Sequence, residues 1–453
     1  MGSITITGTE TGAKIFTESI EQRALDQIGL LCSQPAFKSS VIRVMPDVHP
    51  GKVGTIGFTA TLGDAVLPEV VGSDIGCGIL LAELDAKRIE YQKLDALIKG
   101  KIPSGTAVRR KALAKAEAFD FKALRCVKHI DEEKVIKSLG TLGGGNHFIE
   151  VDRAEDGRLY LLIHSGSRSL GAAVTEYYMR QGQAELKKQG IQMPYEMTSL
   201  RGSLMEDYLH DLSFVQSYAE LNRSLMLEVI AKGMKWKCQN IRQFVHNYVD
   251  FSMTPPVIRK GAVSAKKGET VIIPINMRDG VIIGTGLGNE EWNCSAPHGA
   301  GRVLKRSEVK EQHTLSEFKK AMQGIYSTCI RKDTLDEAPF AYRGLDEIVS
   351  TIGETLEIRE ILQPVYNFKA GDIQYIQGRK IKAGEKKEKE EKMAKYREIV
   401  CKHYVCFGVC KKGRDASQAG YCQRCDKYEP RAKEHHVNQK KRKLEQLKAK
   451  MTA

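Results

Sequence analysis

The sequence predicts a mixed α/β (α+β) fold, one large body followed by a small cysteine-rich module. Three observations carry that expectation. Alternating apolar segments such as Ser3-Ile4-Thr5-Ile6-Thr7 and Tyr160-Leu161-Leu162-Ile163-His164 read as strands. Stretches with apolar residues three and four apart read as helices. Beyond about residue 380 the composition turns to Lys, Glu and closely spaced Cys. At 453 residues the chain can bury a substantial core and is expected to form two or three structural units.

After the first strand, a helix is expected over residues 18–31, with Ile20, Ala24, Ile28 and Leu31 on one face. Residues 41–45 form a strand running into a loop that holds Asp47 and His49. Loops at strand ends commonly carry binding groups, although a turn stabilised by its Asp accounts for the same residues. An apparent strand ending in Val70-Val71 leads into Gly72-Ser73-Asp74-Ile75-Gly76-Cys77-Gly78, where a carboxylate and a thiol three residues apart can turn towards one point. Alone, such a stretch more often makes a tight turn with a buried thiol. Three isolated histidines in separate apolar segments, His147, His164 and His246, shift the balance. A thiolate, a carboxylate and imidazoles suit a borderline divalent ion such as Mn, Fe, Co or Zn.

Residues 84–140, rich in Lys, Glu and Ala at helical spacing, suggest a solvated helical insertion without chemistry. The run Gly140-Thr141-Leu142-Gly143-Gly144-Gly145-Asn146-His147-Phe148 then enters a strand. Its glycines let backbone approach a ligand or cradle phosphate, but no Gly-Lys-Ser/Thr follows, so it is not a Walker loop. The hairpin partner ending at His164 leads into Ser165-Gly166-Ser167-Arg168, whose forked cation suits phosphate. Leu212, Val215, Ala219, Met226 and Ile230 mark the buried side of a helix over residues 208–230, interrupted by Asn222 and Arg223, which face a cleft or solvent. Strands are expected at 257–261, 270–274 and 281–284. His298 then stands among small residues, with Arg302 and Arg306 at i+4 and i+8. A helix starting at His298 would put both arginines on its face to hold phosphate while the imidazole attacks, and a histidine that merely caps a helix has the same spacing.

The formal net charge is +14, and residues 380–453 hold 22 Lys/Arg against 10 Asp/Glu, so the tail rather than the body carries the polyanion signal. No run of 18 residues is apolar and the N-terminus lacks a signal-peptide pattern, so a cytoplasmic protein away from membranes is expected. Five of the 11 cysteines crowd into residues 401–425, which in a reducing compartment fits metal ligation better than disulfides. Cys406-x3-Cys410-x11-Cys422-x2-Cys425 is the paired-thiolate spacing of a closed tetrahedral Zn2+ site, its first pair one residue wider than the commonest knuckle.

Taken together and in order, Met45-Pro46-Asp47-Val48-His49-Pro50-Gly51, the Asp74/Cys77 loop, and the segments 140–150, 163–171, 257–262 and 298–302 resemble the RtcB family of RNA ligases. The match continues through Asp336-Glu337-Ala338-Pro339-Phe340-Ala341-Tyr342 to residues 363–371, about four-fifths of the chain. The resemblance implies a catalytic domain of packed β-sheets with surrounding helices over residues 1–375, its metal centre in a deep cleft. A charged helical linker (376–400), a zinc-binding module (401–430) and a basic tail (431–453) would follow. It implies an enzyme that joins an RNA 2′,3′-cyclic phosphate or 3′-phosphate end to a 5′-hydroxyl end with GTP and two Mn2+ ions, in RNA repair or tRNA splicing. Cys77 would bridge the ions, with Asp74, His147, His164 and His246 as the other ligands. His298 matches the nucleophile that takes a guanylyl group from GTP and passes it to the RNA 3′-phosphate, after which the 5′-hydroxyl displaces GMP. Asn146, Phe148, Glu150 and Lys369 should hold the guanosine nucleotide, and Arg168, Arg302 and Arg306 the phosphates. Tyr342, Asn222 and Arg223 are further members of the site. Implied partners are RNA, as tRNA halves or broken RNA, and, as for some members, a small accessory protein.

Three stretches depart from the family pattern. Pro274-Ile275-Asn276-Met277-Arg278-Asp279-Gly280 stands where many members have Pro-Gly-Ser-Met-Gly, Ile258 replaces a common histidine, and Ser295-Ala296-Pro297 replaces Ser-Thr-Cys before His298. These leave a second class of function, a non-ligating RNA-binding factor or a metal-dependent RNA end-processing phosphoesterase. The intact set of Asp74, Cys77, His147, His164, His246 and His298 favours ligation.

Overall fold

A computed structural model describes residues 2–370 and, beyond them, 374–376, 379–381, 403–406, 409–410 and Cys425. The chain opens with a hairpin of β1 (Ile4–Thr7) and β2 (Gly12–Ile15), then α1 (Gln22–Cys32). That helix begins four residues later than its spacing suggested but buries Ala24, Ile28 and Leu31 as expected. β3 (Ile42–Pro50) runs through Asp47 and His49, where a loop was expected. Pro46 lacks an N–H, and the pairing of β3 with β4 (Thr55–Thr61) is irregular between Val44 and His49, so a loop-like sequence is carried inside a strand as a distortion of its ladder. Val70-Val71 close a one-turn helix, α2 (Pro68–Val71), rather than a strand. Pro68 supplies the φ of a first helical turn, and Gly72, at φ 93°, ends it.

β5 (Gly78–Leu84) follows the Asp74/Cys77 loop. Residues 84–140 are helical, as α3 (Tyr91–Lys101), α4 (Ala114–Glu117) and α5 (Glu132–Ser138), yet they are no solvated insertion. Leu94 and Ile98 of α3 and Val135 of α5 are buried in the core as apolar stripes beneath charged faces, and Phe121 and Leu124 of the segment between α4 and α5 are buried with them. Next come β6 (Phe148–Arg153), β7 (Leu159–Ser165), α6 (Arg168–Lys188) and α7 (Gly202–Met234), the last burying all five residues expected of it. β10 (Val257–Lys260), β12 (Thr270–Asn276) and β13 (Gly280–Gly286) stand where strands were expected, and β8 (Cys238–Val245), β9 (Asn247–Asp250), β11 (Ala262–Ser264) and β14 (Ser295–Pro297) add to them. α8 (Arg306–Gln312), α9 (Leu315–Ala321), α10 (Leu345–Ile352) and the long β15 (Leu356–Lys369) complete the body.

The strands form a six-stranded sheet in the order β1-β2-β3-β4-β10-β9 and a seven-stranded sheet in the order β12-β13-β15-β6-β7-β5-β8, with β11 and β14 paired apart. Period-two alternation sorts the seven-stranded sheet into two faces. Leu80, Ala82, Ile149, Val151, Leu161, Ile163, Tyr366 and Phe368 pack outward with Leu94 and Ile98 of α3 and Met226 and Ile230 of α7. Each such buried aliphatic contributes about 1.5–3 kcal/mol. Ile79, Leu81, Phe148, Leu162, Val281, Leu362 and Ile272 form the opposite face. Ile272 lies on the edge strand β12, well removed from Ile79 in strand order, so the sheet curls around this inner face. Residues sharing its parity, Glu150, His164, Asn367 and Lys369, line the pocket there. The register sets Phe148 beside both His164 and Lys369, and Glu150 beside Asn367. His246 is the single residue between β8 of one sheet and β9 of the other, and Gly261 is the single residue between β10 and β11. The site therefore sits where the two sheets meet.

Candidate metal centre and adjoining pocket

Asp74 and Cys77 lie in the loop between α2 and β5, His147 immediately before β6, His164 near the end of β7 and His246 at the β8–β9 joint. Four separate segments thus deliver five donors to one spot, four of them buried and Asp74 partly exposed. Cys77 Sγ is 3.3 Å from His164 Nε2 and 3.5 Å from His147 Nε2. His164 Nε2 is 3.4 Å from His246 Nε2, and His147 Nε2 is 3.2 Å from Asp74 Oδ2. Two groupings result, Cys77 with His164 and His246, and Cys77 with Asp74 and His147. The thiol belongs to both.

These spacings are those of ligands around an ion. Imidazole nitrogens about 2.0–2.1 Å and a thiolate about 2.3 Å from a tetrahedral metal stand about 3.4 Å (N to N) and about 3.5 Å (S to N) apart. The hydrogen bonds on the far side of each ring agree. His147 Nδ1 donates to Leu142 O at 2.8 Å and His164 Nδ1 to Asn146 O at 3.2 Å, since a carbonyl only accepts. Each neutral ring then turns its Nε2 lone pair into the cluster. Burial, with Asp74 alongside, pushes the Cys77 thiol well above its ordinary value, and burial holds His164 and His246 well below theirs. Converging lone pairs around a thiol and a carboxylate form a donor set that a divalent cation fits. Each grouping offers three donors that could hold a metal ion.

Beside the cluster, and sharing His164 with it, opens a pocket. It is lined by His49, Asn146, Phe148, Glu150, the 274–277 segment, residues 298–302, Arg306, Tyr342, Asn367 and Lys369. His298 follows β14 directly, and no helix starts there; the next begins at Arg306. Pro297 still pairs with β11, and the glycines at 299 and 301 suit a loop better than a helix, so the arginines reach the pocket by loop rather than along one helical face. The His298 ring centroid lies 4.8 Å from that of His246, and its Nδ1 is 2.7 Å from the Oδ2 of fully buried Asp47. Gly261, at φ 64°, makes the close approach possible: a Cβ there would stand 3.2 Å from His298 Cε1 and collide with Ile56.

A family model described as tRNA-splicing ligase RtcB matches residues 31–370. The chain belongs to the RtcB family of RNA ligases. The RNA-splicing ligase RtcB of Escherichia coli K12 is 32% identical over 403 residues, covering 80% of this chain and 98% of the relative. The tRNA-splicing ligases RtcB of Archaeoglobus fulgidus and Methanococcus maripaludis are 26% and 25% identical, each covering 74% of this chain and 88% of the relative. The match ends before the cysteine-rich tail.

In this RtcB-family chain the expected cations do not stand free around the pocket. Lys369 Nζ is 2.5 Å from Glu337 Oε2, and Arg306 bonds both Asp336 and Glu337 at 2.5 Å. Arg302 donates to Asp336 O at 2.6 Å and Tyr342 OH to Glu337 at 2.6 Å. Burial would raise Glu337, but Lys369 and Arg306 hold it down at about 2. Arg168 stands off the pocket, with its guanidinium on Thr141 Oγ1 and, at 2.6 Å, on Gly105 O, bracing the glycine loop before His147. Asn222 and Arg223 face neither cleft nor solvent. Asn222 bonds the main chain of Gly140, Thr141 and Gly166, and Arg223 donates to Gly76 O at 2.8 Å and Ser165 O at 2.7 Å. Both are buried because the loops carrying the metal donors close over α7 and need their carbonyls paired.

Sequence reasoning underrated Asp47, for which a turn role was favoured, and passed over Asp336 and Glu337. The signal for Asp47 lay in a lone acid inside an otherwise apolar strand; for the pair, in two adjacent acids within the quoted Asp336-Glu337-Ala338-Pro339 stretch. Of the proposed zinc ligands, Cys422 and the side chain of Cys406 lie outside the described residues, and Cys410 and Cys425 are partly buried. Among the described residues, no helix is long and apolar enough to cross a membrane.

Proposed function

We propose that this chain joins an RNA 3′-phosphate or 2′,3′-cyclic phosphate end to a 5′-hydroxyl end, using GTP and Mn2+, through a guanylylated His298. One observation carries the reading: His298 has its Nδ1 hydrogen taken by the buried Asp47 carboxylate, so the lone pair of Nε2 is left for a ligand in a pocket adjoining the metal cluster. A neutral imidazole is nucleophilic near neutral pH, and its phosphoramidate is a good leaving group. In this scheme Nε2 attacks the α-phosphorus of GTP, a P–N bond forms, and the P–O bond to the β-phosphate breaks with release of pyrophosphate. An oxygen of the RNA 3′-phosphate next attacks the same phosphorus and frees the histidine. The 5′-hydroxyl then attacks the RNA phosphorus, and GMP leaves.

Cys77 with Asp74 and His147, and Cys77 with His164 and His246, would hold the two Mn2+ ions, which when bound supply positive charge beside the phosphates. Asn146, Phe148, Glu150 and Lys369 would hold the guanosine. A carboxylate at Glu150 accepts from the N1–H and amino donors of guanine, whereas adenine presents an acceptor there. Arg302 and Arg306 would exchange part of their pairing with Asp336 and Glu337 for phosphate oxygens, and Arg168 would act from beneath the glycine loop. A Zn2+ site of Cys406, Cys410, Cys422 and Cys425 within a basic tail would grip RNA phosphates without regard to sequence, which a salt titration of RNA binding by the full chain and a chain ending at 375 tests. The setting for this chemistry would be cytoplasmic tRNA splicing or RNA repair, with an accessory protein as a further partner. The decisive experiment incubates the intact protein and His298→Ala with α-labelled GTP and Mn2+. A covalent guanylyl adduct lost in the variant is the expected result; label retained in both removes His298 from this role, and none in either favours a non-ligating factor.

A further inference from the structure

Asp47 holds two imidazoles, not one. Its side-chain Oδ2 accepts from His298 Nδ1 at 2.7 Å, and its main-chain carbonyl accepts from His49 Nδ1 at 2.9 Å. Both rings line the same pocket. A carbonyl oxygen only accepts, so the hydrogen of neutral His49 is on Nδ1 and Nε2 carries a lone pair. The same logic fixes the tautomer of His298. One strand residue, wholly buried, thus presents two oriented nitrogen lone pairs to one cavity. Gly301, at φ 70°, keeps this arrangement close: a Cβ there would stand 2.4 Å from Asp47 O, the atom that orients His49.

Guanylylation of His298 uses only the first lone pair. A second one cannot hold a phosphate, since two acceptors repel, and burial, opposed only in part by the Asp47 carbonyl, keeps the ring neutral down to about pH 4. It suits an incoming hydroxyl. Guanylyl transfer onto His298 and onto the RNA 3′-phosphate requires no proton to be removed from a nucleophile, because an imidazole and a phosphate oxygen attack directly. Sealing does, because a 5′-hydroxyl must lose its hydrogen as its oxygen bonds to phosphorus.

We infer that His49 is a catalytic residue of the sealing step, its Nε2 taking the proton of the attacking RNA 5′-hydroxyl. As the O–P bond forms, the O–H electrons stay with the oxygen, the proton moves to Nε2, and the P–O bond to the GMP phosphate breaks. The imidazolium so formed passes its proton to solvent after GMP departs. The inference rests on the proposed guanylylation pathway and is separable from it.

The test uses the full-length protein and three assays: adduct formation on His298 with α-labelled GTP, transfer to an RNA 3′-phosphate, and sealing of RNA that already bears a 3′-guanylylated end. His49→Ala is expected to keep the first two within a few-fold of the parent and to lose about 10²-fold in the third, the low end of what a positioned base contributes, because a ring that stays neutral down to about pH 4 is a weak base. Added imidazole should restore part of the sealing in His49→Ala, which a purely structural role would not allow. Unchanged sealing in His49→Ala overturns the inference, as does an equal loss in all three assays in both His49→Ala and His49→Gln, which would make His49 a support for pocket shape. Absence of any adduct in the parent protein would instead sink the guanylylation pathway itself, and this inference with it.

Discussion

Replacing Asp47 by Asn tests how the pocket sets the state of His298. The carboxylate only accepts, so at present Nδ1 carries the hydrogen and Nε2 the lone pair. The Asn side chain has two settings. With its oxygen towards Nδ1, its amino group occupies the place of Oδ1, a buried atom with no hydrogen-bond partner, and an orphaned buried donor there costs about 1–3 kcal/mol. With its amino group towards Nδ1, that cost vanishes but the hydrogen moves to Nε2 and the nucleophile is blocked. Asn also removes the negative charge that stabilises the ring as it gains positive charge on forming the P–N bond, a charge-assisted bond contributing about 1.5–3 kcal/mol. Together these come to roughly 3–6 kcal/mol, or about 10²- to 10⁴-fold in the rate of His298 guanylylation. An Asp-to-Asn change that leaves the geometry intact but fixes the wrong tautomer costs a serine-protease triad about 10⁴-fold. The assay is single-turnover adduct formation with α-labelled GTP, alongside metal analysis and a thermal melt to establish that Asp47→Asn is folded and loaded. A rate within ten-fold of the parent would refute the tautomer argument.

If the proposed two-ion centre is right, Cys77→Ala should lower bound divalent metal to one ion per chain at most, read by elemental analysis of dialysed protein against the parent; metal content equal to the parent's would show that the thiol does not bridge. Glu337 ties acid stability to the pocket. Its carboxyl lies near 4.5 in the unfolded chain and near 2 in the folded one, so the folded state gains stability above about pH 4.5 and loses it as the pH falls towards 2. The loss is up to about 3 kcal/mol, and urea midpoints measured across that window should fall less steeply in Glu337→Gln. Arg223→Met keeps the apolar stem but strips the donors from Gly76 O and Ser165 O. It should destabilise the protein by about 2–4 kcal/mol in urea titration and weaken metal binding; a change under 1 kcal/mol would mean that the metal loops hold without that brace.

Donor chemistry and strand parity are written locally, and both were legible. A lone Cys beside an Asp and three lone histidines in apolar segments mark a candidate donor cluster by residue type alone. Period two in residues 148–152 and 160–164 already separates Phe148, Glu150 and His164 from Ile149, Val151 and Ile163 before any sheet is built. Local pattern failed where segments are short or functional. Val70-Val71 reads equally as strand or helix until Pro68 is given its place, and Asp47 reads as a turn because its partner is 251 residues away. What only the tertiary structure decided is convergence: the curl that brings β5, β6 and β7 to the seam with β9 and β10, the placing of Asp47 on His298, and the capture of Arg302, Arg306 and Lys369 by Asp336 and Glu337. Side-chain type and spacing state what a residue can donate or accept, whereas register, sheet curvature and the need to pair every buried polar group determine which residue it meets.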